Sequence, residues 1–179
     1  MRTLVIYKSK TGSTQKYAEE IARAIGGDIL SIKKFKRKHI DNYDTIVFGG
    51  WVMGGKIQGL DDFLVHYDDM KDKNIIVFAV GMSLVTKESR DNLISVNILD
   101  LYHVRFYQLR GSFDFNKLSF FTRILMANSI KMSAAQGGDA MQQQALEQIK
   151  ERPIEFYDQA GIDRIVSVLH KIDAIGGEA

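Results

Sequence analysis

The chain has 179 residues with a formal net charge of +2, 45% of them hydrophobic and 26% charged, with 15 Gly, 1 Pro and no Cys. That length suits one ordinary domain able to bury a real core, and the mixture is globular, not collagen-like or disordered. Without cysteine there is no thiol catalysis, iron–sulfur cluster, haem-attachment motif or disulfide scaffold.

The chain enters a strand-like run at once, Thr3 to Tyr7, with no signal-peptide pattern, and the missing cysteines fit a reducing compartment, so a cytoplasmic location is expected. Tyr17, Ala18, Ile21, Ala22 and Ile25 then recur at helical spacing, and Gly26-Gly27 ends that helix. Asp28 to Ile32 reads as a second strand. Thr45 to Phe48 reads as a third, with Gly49-Gly50 at its end. Leu60, Phe63, Leu64 and Tyr67 mark the next helix, whose first turn holds Asp61 and Asp62, where the helix dipole favours acids. Ile75 to Val80 is a fully apolar fourth strand that stops at Gly81. A helix is expected between Lys87 and Leu99, and a fifth strand from Val104 to Leu109. The last helix carries Ile162, Ile165, Val166, Leu169 and Ile172. The apolar runs are far too short to span a bilayer. His39, His66, His103 and His170 form no close ligand pair, so no metal site is expected.

Apolar strands alternating with amphipathic helices predict an α/β fold, a three-layer α/β/α sandwich around a five-stranded parallel sheet. Ligands of such sheets sit at the carboxyl ends of the strands, where the strand order switches direction. Residues from about Gly111 to Asp158 break the alternation and are long for a loop, so they must hold structure or function of their own. The expectation is a single domain over residues 1–179 with an insert at about 112–156.

The strongest signal follows the first strand: Ser9, Lys10, Thr11, Gly12, Ser13 and Thr14, and then a helix. Backbone N–H groups and the dipole at a helix N-terminus favour an anion there. Gly12 permits close backbone approach, and the hydroxyls add donors, each bond to a charged group being worth roughly 1.5–3 kcal/mol. The competing reading is a polar turn with an N-cap. A P-loop NTPase is excluded, because GxxxxGK[ST] is absent. The turn also lacks the GxGxxG of a dinucleotide site. Lys8, Ser9 and Lys10 stand where a response regulator wants acids, and a phosphotyrosine phosphatase needs a cysteine.

The pattern Ser-x-Thr-Gly-x-Thr after the first strand resembles the FMN phosphate loop of flavodoxins, and the resemblance covers about Arg2 to Gly111 plus the last helix. It implies a flavodoxin-like sandwich with strand order 2-1-3-4-5 and FMN as cofactor. It further implies that the loops after strands three and four hold the isoalloxazine ring. Those positions are Gly50, Trp51, Val52, Met53, Gly54 and Gly55, and Gly81, Met82, Ser83 and Leu84. Trp51, the only Trp, is either a stacking partner of the ring or an ordinary half-buried aromatic. No acid–base residue stands out. Ser83 and Lys56 are candidates by location alone.

The stretch Gly111-Ser112-Phe113-Asp114-Phe115 through Phe120-Phe121-Thr122-Arg123 to Met132, with Phe156-Tyr157-Asp158 later, is similar to the insert of the menaquinone-dependent protoporphyrinogen dehydrogenase family, though less basic. That resemblance implies a reduced tetrapyrrole or similar hydrophobic donor and a membrane quinone as acceptor. On a helix from Lys117 to Met132, residues Leu118, Phe120, Phe121, Ile124, Leu125, Ala127 and Met132 share one broad face. Such a face covers a sheet edge, receives a flat apolar substrate, rests peripherally on the inner face of a membrane, or forms a homodimer. Ser133 to Asp139 reads as a flexible loop.

Lys33, Lys34, Lys36, Arg37 and Lys38 form a basic run around Phe35, either a solvated loop or a patch for anionic lipid or substrate propionates. Nothing supports a nucleic-acid partner. Flavodoxins that carry electrons to a redox protein partner are typically acidic, whereas this chain has a pI of about 8.7 and no Asp or Glu from Gly50 to Leu60. A carboxylate about 8 Å from the ring would disfavour the reduced anion by about 2 kcal/mol, on the order of 40 mV for two electrons. The expectation is an FMN-dependent oxidoreductase with a comparatively easily reduced flavin. A flavodoxin-type soluble electron carrier is the alternative.

Overall fold

In the computed structural model, which describes residues 2–113 and 154–176, the apolar runs become parallel strands and the amphipathic runs cover them. The chain divides into two compact units, Met1–Gly111 with Tyr157–Ala179, and Ser112–Phe156. In the first unit the order of elements is β1 (Thr3–Lys8), α1 (Ser13–Ile25), β2 (Asp28–Ser31), β3 (Thr45–Met53), β4 (Lys56–Ile57), α2 (Leu60–Leu64), α3 (Tyr67–Met70), β5 (Asn74–Gly81), α4 (Lys87–Val96) and β6 (Val104–Phe113). Strand β6 ends two residues past the unit boundary. The chain then supplies β7 (Ile154–Tyr157) and α5 (Gln159–Gly176). In the second unit, the Ser112 hydroxyl accepts from the Phe156 N–H (3.0 Å) and donates to its carbonyl (2.8 Å). The expected helix over 117–132 and loop over 133–139 lie outside the described residues.

The central sheet runs β2-β1-β3-β5-β6, with every neighbouring pair parallel. These five strands reproduce the expected 2-1-3-4-5 order. Two short strands, β4 and β7, were not expected. The chain leaves β1 for β2 on one side and returns to β3 on the other, so the order switches direction between β1 and β3.

The alternation of side chains along each strand makes two cores. On one face, Leu4, Ile6, Ile46, Phe48, Ile75 and Val77 pack with Leu60, Phe63, Met70 and Leu93 from α2, α3 and α4. On the other, Val5, Val47, Ile76, Phe78 and Leu109 pack with Tyr17, Ala18 and Ile21 of α1 and Ile162, Ile165 and Leu169 of α5. Both faces of a parallel sheet are therefore covered, as its continuous apolar runs require.

The single helix expected over Leu60–Tyr67 is two short ones. The chain leaves the helical path at His66, whose ring meets Phe35 edge-on at 5.4 Å. The basic run sits on two 3-10 turns, Ile32–Lys34 and Arg37–Asn42. Phe35 is buried between them, and Arg37 pairs with Asp69 at 2.9 Å.

Tyr17 joins three parts of the chain. It is 1% exposed, and its hydroxyl donates to the Arg110 carbonyl (2.6 Å) and accepts from the Asp158 N–H (2.7 Å). Tyr157 stacks on its ring at 5.3 Å. Asp158 then caps α5, its Oδ1 accepting from the Gly161 N–H at 2.8 Å. Burial raises the Tyr17 phenol above the ordinary 10.0, against a smaller lowering by the Asp158 N–H. A raised folded-state value means that this contribution to stability is full below the unfolded value and is lost as pH climbs through the folded one. Tyr17→Phe is expected to destabilise the fold by about 1–3 kcal/mol, because a part-buried carbonyl and a part-buried N–H lose their partner. Urea unfolding measures that loss, and repeating it in the alkaline range should show a shallower decline with pH in the variant.

Candidate functional site

Strand register brings three candidate segments to one edge. Lys8 at the end of β1 pairs with Gly50, Gly50 with Ala79, and Gly81 at the end of β5 with Arg110. The chain beyond Lys8, beyond Trp51 and beyond Gly81 therefore leaves the sheet at the same carboxyl edge, beside the switch between β1 and β3.

The first segment is the turn from Ser9 into α1. Gly12 is left-handed (φ 101°, ψ −23°), a conformation that favours glycine. Its N–H donates to Ser9 Oγ at 3.1 Å, which closes the turn, and its carbonyl accepts from the Lys16 N–H at 2.9 Å, which starts the helix. Among the described residues no side chain makes a capping hydrogen bond to α1, and apart from its chain neighbours no atom lies within 4 Å of where a Gly12 Cβ would stand. Ser9, Thr11 and Ser13 are half-buried around that space, Lys10 is exposed and Thr14 is buried. A helix N-terminus uncapped by side chains and open beside a glycine suits an anion.

The second segment differs from the expectation of a loop at Gly50–Gly55. Gly49, Gly50, Trp51, Val52 and Met53 continue β3, and the turn is Gly54-Gly55. Both turn residues have positive φ (57° and 78°), as a two-residue hairpin turn with matching twist requires. Val52 pairs with Ile57 and Met53 with Lys56, antiparallel, and the Gln58 N–H donates to the Trp51 carbonyl at 2.8 Å. The glycines at 49 and 50 serve packing, not turning. A Cβ on Gly49 would run into the Phe78 ring, and one on Gly50 would lie 2.6 Å from Ile57 Cγ2 and 2.8 Å from the Gln58 carbonyl.

Trp51 is half-buried, and Lys10 Nζ stands 6.0 Å from its ring centroid, so the tip of the first turn meets the start of the hairpin. Lys56 does not stand free as an acid–base group. Its Nζ donates to the Val96 carbonyl at 2.7 Å, at the negative end of α4. Asn97, 8% exposed, holds the same hairpin from the other side of that helix end. Nothing in the sequence pointed to Asn97, which fell inside the helix expected between Lys87 and Leu99; α4 ends at Val96 and Asn97 caps it.

The third segment starts at Gly81, the last residue of β5, and runs through Met82, Ser83, Leu84 and Val85 to Thr86. Ser83 is exposed. Leu84 is 64% and Val85 44% exposed. Thr86 and Ser89 form a reciprocal cap of α4, with N–H to Oγ distances of 3.0 and 3.1 Å. Lys8 pairs with Asp62 at 3.2 Å, an exposed contact worth about 0–1 kcal/mol. Among the described residues no group of three His, Cys, Asp or Glu could hold a metal ion, and no helix is long and apolar enough to cross a membrane.

A family model described as "Flavodoxin domain" matches residues 4–139. An uncharacterized protein of Methanocaldococcus jannaschii is 33% identical over 121 residues, which cover 63% of this chain and 81% of that one. A flavodoxin of Haemophilus influenzae is 31% identical over 84 residues, covering 43% of this chain and 48% of its own length. Among solved structures, oxidised flavodoxin 2 of Bacillus cereus aligns with a TM-score of 0.46 at 16% identity, covering 62% of this chain and 84% of that one.

The packing at Gly50 can be tested directly. Gly50→Ala is expected to push the hairpin off the sheet and cost about 1–3 kcal/mol, as overpacking typically does. Thermal unfolding of the variant, read beside a Gly54→Ala control that strains only the exposed turn, measures it.

Proposed function

The chain belongs to the flavodoxin domain family, and from that premise we propose that it is an FMN-dependent oxidoreductase. We further propose that it takes reducing equivalents from a hydrophobic donor of the reduced-tetrapyrrole type and delivers them to a quinone. The observation that carries the cofactor assignment is the turn from Ser9 to Thr14, uncapped by any side chain and open beside Gly12. In this reading Ser9, Lys10, Thr11, Gly12, Ser13 and Thr14 hold the phosphate. Gly50, Trp51, Val52, Met53, Gly54 and Gly55 flank one side of the ring, and Gly81, Met82, Ser83 and Leu84 the other.

When bound, FMN supplies the two-electron chemistry, and the chain supplies position and electrostatics. The first-turn amides and the α1 dipole neutralise the phosphate. The hairpin and the segment after β5 orient the ring and exclude water from its edge. In each cycle the donor loses a hydride equivalent and a proton, and the quinone gains two electrons and two protons to become a quinol. The exposed Leu84 and Val85 beside the third segment support an apolar reactant. The absence of acids from Gly50 to Leu60 and a pI of about 8.7 support it over an acidic carrier.

Anaerobic titration of FMN-loaded protein with protoporphyrinogen is the test. Rapid bleaching of the visible flavin band, reversed by a menaquinone analogue, is expected. A flavin that stays oxidised but accepts electrons from a flavodoxin reductase would instead identify a soluble electron carrier. The low density of acids around the ring carries a separate expectation. Gln58→Glu should lower the two-electron midpoint potential, by on the order of 40 mV for a carboxylate about 8 Å from the ring. Spectroelectrochemistry of the two forms reads that difference.

A further inference from the structure

Resting on the FMN reading, we propose that helix α4 is a bracket that sets the spacing of the two ring-side segments, with Asn97 and Ser89 as its positioning residues. The helix has ten residues and is about 15 Å long. Its start grips the segment after β5, and its end grips the hairpin.

At the C-terminal end, the Asn97 amide makes three hydrogen bonds. Its Nδ2 donates to the Gly55 carbonyl (2.8 Å) and to the Leu93 carbonyl (2.8 Å), and its Oδ1 accepts from the Ile57 N–H (2.9 Å). Ile57 is the partner of Val52 one step beyond the Met53–Lys56 pair that closes the two-residue turn. In an antiparallel ladder such a position is the non-hydrogen-bonded one, and its N–H points away from the neighbouring strand. Asn97 supplies the missing acceptor and reads the carbonyl two residues earlier. Both donors and the acceptor of one amide are thereby spent, which no other short side chain can reproduce. Lys56 adds a bond to the Val96 carbonyl at 2.7 Å. The hairpin tip is thus tied by side chains from both partners to the last turn of α4.

At the N-terminal end, Ser89 does the corresponding work. Its hydroxyl donates to the Leu84 carbonyl (2.8 Å), accepts from the Thr86 N–H (3.0 Å) and lies 3.0 Å from Gln108 Oε1 of β6. Gln108 is itself 5% exposed, so Ser89 sits against the sheet where its one hydroxyl proton can go to the Leu84 carbonyl or to Gln108. None of these contacts involves residues 9–14. The bracket should therefore govern the hold on the ring and leave the phosphate turn alone.

The test compares FMN, lumiflavin, which is the ring without the phosphate, and inorganic phosphate as a competitor of FMN. The proteins are the wild type, Asn97→Ala, Asn97→Asp, Ser89→Ala and the surface control Lys87→Ala, whose side chain is 91% exposed on the same helix. Asn97→Ala and Asn97→Asp are expected to weaken FMN and lumiflavin by the same factor, about tenfold, with the phosphate inhibition constant unchanged. Ser89→Ala should act in the same direction and Lys87→Ala should change nothing. Quenching of Trp51 fluorescence by bound lumiflavin, compared at saturation, should fall in the Asn97 variants. Folded Asn97→Ala and Ser89→Ala proteins with wild-type lumiflavin affinity and quenching would overturn the bracket while leaving the FMN reading intact. Equal losses of ring and phosphate affinity would also overturn it, because they mark a general structural role. If Asn97→Ala does not fold, Ser89→Ala decides by the same measurements. A wild-type protein that binds neither FMN nor lumiflavin overturns the FMN reading itself, and the bracket with it.

Discussion

The hairpin can pack back onto the sheet only because β3 has no Cβ at Gly50, and the sheet can hold the Phe78 ring only because it has none at Gly49. A methyl group on Gly49 would occupy the place of the Phe78 ring, and one on Gly50 would meet Ile57 and the Gln58 carbonyl. Phe78 belongs to the core on the α1 and α5 face, and Ile57 to the core on the α2–α4 face. Two consecutive glycines thus serve the two sides of one sheet. With that close approach in place, β3 continues to Met53 and turns at Gly54-Gly55, and its return strand reaches the end of α4.

A glycine in a strand interior costs conformational entropy and contributes no side-chain contact. The offset here comes from the neighbours. Phe78 is fully buried because Gly49 leaves room for its ring, and Ile57 is 4% exposed over Gly50. Asn97 satisfies the Ile57 N–H and the Gly55 carbonyl of the hairpin, and Lys56 satisfies the Val96 carbonyl of α4. Among the described residues no buried side-chain nitrogen or oxygen lacks a partner. Apart from its chain neighbours, nothing among the described residues lies within 4 Å of where a Gly12 Cβ would stand.

Tyr17 ties α1 to the end of β6 and to the start of α5. It stands one turn into the helix that begins at Ser13, and its hydroxyl holds the backbone on either side of residues 111–157 at Arg110 and Asp158. The start of α1 is thus four residues from the buried phenol that fixes the helix against β6 and α5.

Much of the fold was legible from local pattern. The apolar runs at Leu4–Tyr7 and Ile75–Val80, the helical spacing of Tyr17 to Ile25 and the turn at Ser9–Thr14 each act within a few residues of chain, so their periodicity and turn chemistry suffice. The five parallel strands agree with that reading, and their order with what the resemblance to flavodoxins implied. Other features were not legible, because they depend on residues far apart in the chain. Gly49-Gly50 reads as a stop and is a packing device, since the clash that excludes a side chain comes from Phe78 and Ile57. Lys56 reads as an amine near a ring and is bound to a helix end forty residues later. Asn97 falls inside the helix expected between Lys87 and Leu99, and is instead the cap that partners the hairpin. The sequence by itself determined which segments become strands and helices and where the first strand turns into a helix N-terminus, because those depend on near neighbours. Only the tertiary structure decided how the hairpin, α4 and the segment after β5 are joined, because hydrogen-bond partners across forty residues are set by packing and leave no periodic trace.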